Sequence, residues 1–469
     1  MSRERRGGLS GFPEWSPPQR WVELRLLDRL RETFELHGFA PLQTRSVEPL
    51  SQLLRKGETD KEIYVLSRLQ ADAEGDHGSD PDDRLGLHFD LTVPFARWVV
   101  ENAGHLTFPF KRYQIQPVWR GERPQDGRFR EFVQADIDVV GAGDLPAHHE
   151  VDVALVMAEA LQRLDVGAVR VRVSHRRLAE GFLSGVGVTD TAAGLAALDK
   201  LDKIGPERVR DLLESGGATS AQAQACLDFA SLRGPGAVDA ALGLARRHGA
   251  VDDGITEGAE RLAALVAVAN DAVPGVVEAD LSIARGLDYY TGTVYETELV
   301  GHESVGSVCS GGRYDDLASE GADRYPGVGL SIGVTRLLSR VFGAGVEASR
   351  RVPTCVLVAV DSDEDRHRSD AVARALRARG IPADTAPTAA KYGRQIRHAD
   401  RLGIPFVWFP ARPGDSDGDP AEPAEGAAAG MTGHEVKDIR SGDQSPADPN
   451  AWEPPAADRW PSVARPLSD

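Results

Sequence analysis

Phe110-Lys-Arg-Tyr-Gln-Ile-Gln-Pro-Val-Trp-Arg-Gly-Glu-Arg-Pro-Gln-Asp-Gly-Arg-Phe-Arg-Glu-Phe-Val-Gln-Ala-Asp-Ile-Asp-Val-Val-Gly141 is the stretch that decides the fold. Residues 110–120 and 131–140 are rich in β-branched and aromatic side chains and suit two strands. A basic, turn-forming loop joins them, so the pair is antiparallel. By the period of two along a strand, Gln134, Asp136 and Asp138 share one face, and Gln134 and Asp138 can enter one pocket. Residues 110–131 hold six basic groups against three acidic ones, a local balance of +3 in a chain of net charge −18. Guanidinium forks match phosphate oxygens, so such a cluster can clamp phosphates. A solvated, salt-bridged hairpin accounts for the charge equally well.

Upstream, residues 17–37 read as an amphipathic helix, with Trp21, Leu24, Leu27, Leu30 and Phe34 at three- and four-residue spacing and Gly38 as a stop. Residues 39–50 read as extended. A polar loop over 69–85 separates two strands, and 93–102 suits a helix. Downstream, 145–165 is another helix. Residues 190–272 are rich in Ala and Leu with few aromatics, which points to a helical insertion domain spanning about 175–275. Strand and turn signals return over 280–317, and 328–342 is a strand running into a helix. Pro353 marks a boundary. Beyond it, strands at 354–360, 381–385 and 404–409 alternate with helices at 366–379 and 390–401, the pattern of a small α/β domain. Residues 412–433, dominated by Asp, Glu, Gly, Pro and Ala, read as a disordered insert or long loop. The Pro-rich tail from 444 is expected to be poorly ordered.

The chain has 469 residues, 54 Lys and Arg against 72 Asp and Glu. About two to four domains are expected at this length. An acidic chain is not a general polyanion binder, so contact with nucleic acid needs local basic patches. Cys226, Cys309 and Cys355 are far apart and form no C-x-x-C, which excludes a disulfide framework and a cysteine zinc site. A metalloenzyme fits poorly, since His148-His149 is the lone adjacent His pair. No signal-peptide core and no membrane-spanning run is seen, so a cytoplasmic location is expected.

Three further stretches carry chemistry. Ala284-Arg-Gly-Leu-Asp-Tyr-Tyr-Thr-Gly-Thr-Val-Tyr-Glu296 places two tyrosines after an arginine. Cys309-Ser-Gly-Gly-Arg-Tyr-Asp-Asp-Leu317 has two glycines that let a backbone approach a ligand. Gly327-Val-Gly-Leu-Ser-Ile-Gly-Val-Thr-Arg336 leads into a helix, and no Gly-Lys-Ser/Thr follows, so it is not a P-loop. Together and in this order, these stretches resemble the histidyl-tRNA synthetase family of class II aminoacyl-tRNA synthetases. The resemblance covers about residues 12–165 and 280–445. Trp119 to Glu122 is similar to motif 2, Gly329 to Arg336 to motif 3, and Asp90-Leu-Thr-Val-Pro94 to the segment that holds the amino acid.

The resemblance implies an α+β fold: a six-stranded antiparallel sheet flanked by helices in residues 1–345, a helical insertion, and an anticodon-binding α/β domain over 352–445, before a tail at 446–469. It implies a histidine–tRNA ligase that uses ATP with Mg²⁺, acts on L-histidine and tRNA(His), and forms a homodimer. No contact with DNA or membrane is implied. By resemblance, Arg120 grips the α-phosphate and the histidine carboxylate, Arg336 faces the γ-phosphate, and Arg285 is an extra catalytic arginine. Glu122 and Arg128 hold the adenine and phosphate ends, and Phe132 stacks on the adenine. Asp90, Thr92 and Gln134 form the ammonium side of the histidine pocket, and Leu91 is a further histidine-binding residue. Asp138, Tyr289 and Tyr290 form the imidazole side, one tyrosine pointing in, and Tyr314 is a further candidate. Gln125 and Arg130 are candidates for contact with the tRNA acceptor. Residues 366–401 hold nine basic groups against three acidic ones, the charge RNA binding needs.

Some positions depart from the family. Thr44-Arg45-Ser46 stands where motif 1 usually has a proline, and that motif builds the dimer. His88 stands where an arginine is common, and a packing role is expected for it. Two rivals share the fold. The regulatory paralogue of ATP phosphoribosyltransferase typically lacks the C-terminal domain and degrades the stretch at 285–290. A tRNA-sensing module would have lost Arg120, Arg285 or Arg336, and all three are present.

Overall fold

The computed structural model describes residues 8–54, 63–67, 84–125, 127–283, 289–303, 306–411 and 433–463. Two compact units result: one runs from Leu26 to Ala344 with the residues up to 14, and the other takes residues 15–25 and the chain from Gly345 on. Most of the polar loop expected at 69–85 lies outside the described residues.

The first unit is built on one sheet. Its strands are β1 (Ala40–Pro41), β2 (Phe110–Trp119), β3 (Glu131–Val140), β4 (Val169–His175), β5 (Val277–Ala279), β6 (Thr293–Leu299), β7 (Cys309–Tyr314) and β8 (Gly327–Gly333). Their order across the sheet is β1-β2-β3-β8-β7-β6-β4-β5. The inner six are antiparallel throughout, as expected. One very short parallel strand is added at each edge, so the sheet has eight strands rather than six. Strands of two or three residues leave no periodic signal in the sequence.

The β2–β3 hairpin sets the register, from Phe110 opposite Val140 to Trp119 opposite Glu131. Pro117 is tolerated inside β2 because its nitrogen faces outward, by parity with Trp119, whose N–H leaves the hairpin to bond His88 O at 3.1 Å. β3 alternates as its sequence predicts. Ala135, Ile137 and Val139 are apolar and fully buried, and the intervening Gln134, Asp136 and Asp138 form a polar row on the other face. Helix α1 (Pro17–Leu36), α2 (Thr92–Asn102) and α3 (His148–Arg163) lie close to the predicted spans.

Between β4 and β5 the chain is helical. Helix α4 (Arg176–Gly185) opens this insertion and α5 (Asp253–Ala272) closes it, with five further helices between. Its core includes Phe182 stacked on Phe229 at 4.5 Å. Helix α6 (Val334–Gly343) follows β8 directly, the strand-into-helix expected.

The second unit holds β9 (Val356–Val358), β10 (Ala383–Thr385), β11 (Phe406–Phe409), β12 (Glu435–Asp438) and β13 (Gln444–Pro446), ordered β10-β9-β11-β12-β13. Helices α7 (Arg366–Ala378) and α8 (Tyr392–Leu402) cover opposite faces. Val356 and Val358 join the core under α7, whereas Leu357 joins the core under α8. The acidic insert lies outside the described residues up to 432. The described tail corrects the sequence reading, because it is packed. Gln444–Pro446 pairs with β12, and Trp452 packs edge-on against Phe406 and Trp408 at 5.3 and 5.6 Å. Proline content suggested disorder, but a partly buried aromatic anchor outweighs it.

Candidate active site

The polar row of β3 forms the floor of the site. Opposite it on β8 stand Gly329, Ser331 and Gly333, paired with Asp138, Asp136 and Gln134. Nothing larger than a hydroxyl therefore rises beside the row. The close approach needs glycine: a Cβ on Gly329 would sit 2.1 Å from an Asp138 carboxylate oxygen. On the other side, Arg112 of β2 is directly opposite Asp138. The two form an ion pair at 2.7 Å, with both side chains at 2% exposure or less. Tyr314 donates to the other oxygen of Asp138 at 2.8 Å. Burial pushes the Asp138 carboxyl up to about 6 and that of Asp136 to about 7, against the pull of Arg112.

Asp90 lies two residues before the first residue of α2. Its Oδ1 accepts the Val93 N–H at 3.0 Å, which caps the helix start. Its Oδ2 accepts the Tyr289 hydroxyl at 2.9 Å. Burial raises the Asp90 carboxyl, and these two donors oppose the shift. Leu91 is fully buried and its carbonyl accepts from Arg112 at 3.3 Å. Thr92 is the first residue of α2.

A cavity of about 190 Å³ continues from this floor, lined by Arg120, Glu122, Arg128, Phe132, Gln134 and Arg336 among others. Three separate segments meet in it: the β2–β3 loop, the start of α6, and Ser307 to Ser310. Arg120 is held by the Phe89 carbonyl at 3.0 Å and lies 5.2 Å from the centre of the Phe132 ring. Arg336 is anchored by the carbonyls of Gly127, at 3.0 Å, and Ser307. Burial lowers its pKa, and the nearby Arg128 and Arg120 lower it further. Glu122 is the carboxylate in this lining, 3.4 Å from Arg128. A cavity with three guanidiniums and one carboxylate is electrostatically set for a polyanion.

The structure thus brings Arg120, Glu122, Arg128, Phe132, Gln134 and Arg336 into one cavity. Asp90, Asp138, Tyr289, Tyr290 and Tyr314 gather in the buried cluster beside it. Of the two tyrosines, one of which is expected at the imidazole, Tyr289 has its hydroxyl bonded to Asp90. Tyr290 lies against Gly312, where a Cβ would sit 2.7 Å from its ring. Arg285 falls among residues 284–288, outside the described residues. Gln125 forms a bridge with Arg128 at the hairpin tip. Arg130 turns back to the Glu122 carbonyl at 3.2 Å, so it holds the loop. His88 is fully buried, bonded to Pro117 O at 2.8 Å and stacked on Trp119 at 5.6 Å, in keeping with packing. Sequence reading missed Arg112 and Asp136 as members of the site. The strand register, had it been known, would have put Arg112 opposite Asp138.

His148, His149 and Asp152 at the start of α3 are the group of possible metal ligands among the described residues. None of them lines the cavity. No helix among the described residues is long and apolar enough to cross a membrane.

Comparison with known proteins agrees with this geometry. The histidyl-tRNA synthetase family model matches residues 11–337, and an anticodon binding domain model matches 354–409. The histidine–tRNA ligase of Micrococcus luteus is 57% identical over 98% of this chain and 99% of that protein. That of Cutibacterium acnes is 55% identical over 97% of this chain and 98% of that protein. A crystal structure of histidyl-tRNA synthetase from Nostoc superposes with a TM-score of 0.77 at 32% identity, covering 94% of this chain and 97% of that one. With a family match across most of its length and relatives this similar end to end, the chain belongs to the histidyl-tRNA synthetase family.

Proposed function

We propose that the site described here joins L-histidine to tRNA(His) at the expense of ATP, with the residues in the roles that follow. In the first step a histidine carboxylate oxygen attacks the α-phosphorus, the bond to the bridging oxygen breaks, and pyrophosphate leaves. Charge builds between two anions, so fixed cations are needed around the phosphate. Arg120 stands where carboxylate and α-phosphate meet. Arg336 faces the far phosphate. Arg128 and Glu122 hold the nucleotide, and Phe132 stacks on its base. Arg285 adds a further cation. In the second step the terminal adenosine of the tRNA takes the histidyl group and AMP leaves. Asp90, Thr92 and Gln134 receive the ammonium group, with Tyr289 holding Asp90 in place. Asp138, Tyr290 and Tyr314 bound the imidazole side.

The observation that carries the reading is the crowding of Arg120, Arg128 and Arg336 around one cavity with a single carboxylate, beside a wall of buried aspartates. One end suits a triphosphate and the other a cationic amino acid. Mg²⁺ fits only lightly. Glu122 is the one carboxylate in the cavity lining among the described residues, so the ion would be held mainly by the ATP phosphates, whose charge it would offset. A homodimer and a cytoplasmic location belong to the same reading. The surface for tRNA is the basic α/β domain, together with Gln125 at the hairpin tip.

The test is pyrophosphate exchange into ATP with each of the twenty amino acids, without tRNA. Exchange with histidine alone is expected. No exchange with any amino acid, from folded protein, would overturn the assignment of these residues to activation.

A further inference from the structure

Six buried polar atoms on the floor of the site have no hydrogen-bond partner among the described residues. They are Nε and an Nη of Arg112, Oε1 of Gln114, Oε1 of Gln134, Oδ1 of Asp136 and Oγ of Ser331. They sit on three adjacent strands. Asp136 is directly opposite Gln114 on one side and Ser331 on the other. All five side chains project from the same sheet face, since directly paired residues share a face. Buried polar atoms are almost always paired, so a cluster of orphans marks a place where something polar belongs. The orphan acceptors among them, Oε1 of Gln114, Oε1 of Gln134 and Oδ1 of Asp136, are what a ligand that donates N–H groups can meet.

The two carboxylates in the row are not equivalent. Asp138, the family-like position, already has both oxygens engaged, one by Arg112 and one by Tyr314. Asp136 keeps an oxygen without a partner and is 2% exposed. Two of the three pocket tyrosines donate to carboxylates: Tyr314 to Asp138 and Tyr289 to Asp90. A carboxylate oxygen can accept more than one bond, so Asp138 can still receive an N–H, and Asp136 adds an oxygen that has no partner at all.

We infer that Asp136 is a further specificity-determining residue of the histidine pocket, accepting one imidazole N–H while Asp138 accepts the other. This rests on histidine occupying the pocket as set out above. The bound side chain then donates from both ring nitrogens, so the site recognises an imidazolium between two carboxylates. Rings that offer one N–H or none leave a buried anion unpaired, and that penalty is the discrimination. Burial raises the carboxyls of Asp136 and Asp138 against the pull of Arg112, and a cationic ring between them would offset that cost.

The experiment compares wild type with Asp136→Asn in pyrophosphate exchange, titrating histidine and ATP separately. The expected result is a histidine KM raised about 10- to 100-fold, with kcat and the ATP KM within about twofold. A histidine KM within twofold of wild type would overturn the proposal, as would a joint loss of histidine and ATP affinity, which marks a structural role. Wild type is the control for the underlying reading, since failure of wild type to exchange with histidine sinks that reading and this one with it. Should the variant not fold, nitrogen-15 NMR of ring-labelled histidine bound to wild type decides. Two protonated ring nitrogens are expected, and one bare nitrogen overturns the proposal.

Discussion

Asp136 also has a consequence for stability. Its carboxyl is pushed up to about 7 by burial, whereas an unfolded aspartate ionises near about 3.9. Between those values the folded state holds a proton that the unfolded state has released. The resulting stability is fully present below the unfolded value and is lost as pH rises through about 7. At pH 8 the wild type carries a buried charge that Asp136→Asn does not. The variant should therefore be more stable than wild type at pH 8, on the order of a few kcal/mol, with the gain fading towards pH 4. Urea unfolding of both proteins without histidine, at several pH values, measures the difference and cancels other titrating groups such as His175. A constant difference would show that Asp136 is not charge-starved. Arg112 cannot be treated in the same way, because it is fully buried and its removal strands Asp138 as well.

At the scale of the element, the start of α2 does two jobs with one side chain. Asp90 caps the helix through the Val93 N–H and also faces the proposed ammonium site. The jobs separate by substitution. Asp90→Asn keeps an acceptor for the cap and removes the charge, so it should raise the histidine KM with stability nearly kept. Asp90→Ala should raise the KM too and cost about 1 kcal/mol of stability. Thermal unfolding alongside histidine titration reads both, and equal stability losses in the two variants would contradict a capping role. The same elements show what was legible in sequence. The β2–β3 hairpin could be read because each strand is ten residues long and alternates. The polar row followed from parity alone. Tyr289 and Tyr290 could not be read that way. They precede β6 in a turn, where period two does not hold, so one bonds Asp90 and the other lies against Gly312. The Arg112–Asp138 pair needed the strand register, which composition does not supply. The tail was misread because proline content hid the packing of Trp452.

For the molecule as a whole, activation is proposed for the first unit and RNA binding for the second, which carries the anticodon binding domain match, and the charges of that second unit are more divided than its sequence suggests. The nine basic residues over 366–401 are not one patch. Helices α7 and α8 stand on opposite faces of the sheet, so their arginines point to opposite sides. Several are already engaged: Arg366 with Asp363, Arg368 with Asp365, and Arg379 with Glu453. Arg394 and Arg397 on α8 are exposed, and the same helix contributes Tyr392 and Ile396 to a cavity of about 380 Å³ that is also lined by Phe409 and Lys437. A hollow lined by two aromatic rings and Lys437 suits an unstacked base and its phosphate, with the exposed arginines of the same helix adding positive charge on this side of the sheet. Arg374 and Arg377 on α7 are exposed as well, on the other side of the sheet. The expectation is that Arg394→Glu with Arg397→Glu raises the KM for tRNA(His) about tenfold or more and flattens its salt dependence. Pyrophosphate exchange, which needs no tRNA, should stay within about twofold. Arg374→Glu with Arg377→Glu should change neither. Aminoacylation at two salt concentrations checks this, and a tRNA defect confined to the α7 pair would move the RNA face to the other side of the sheet.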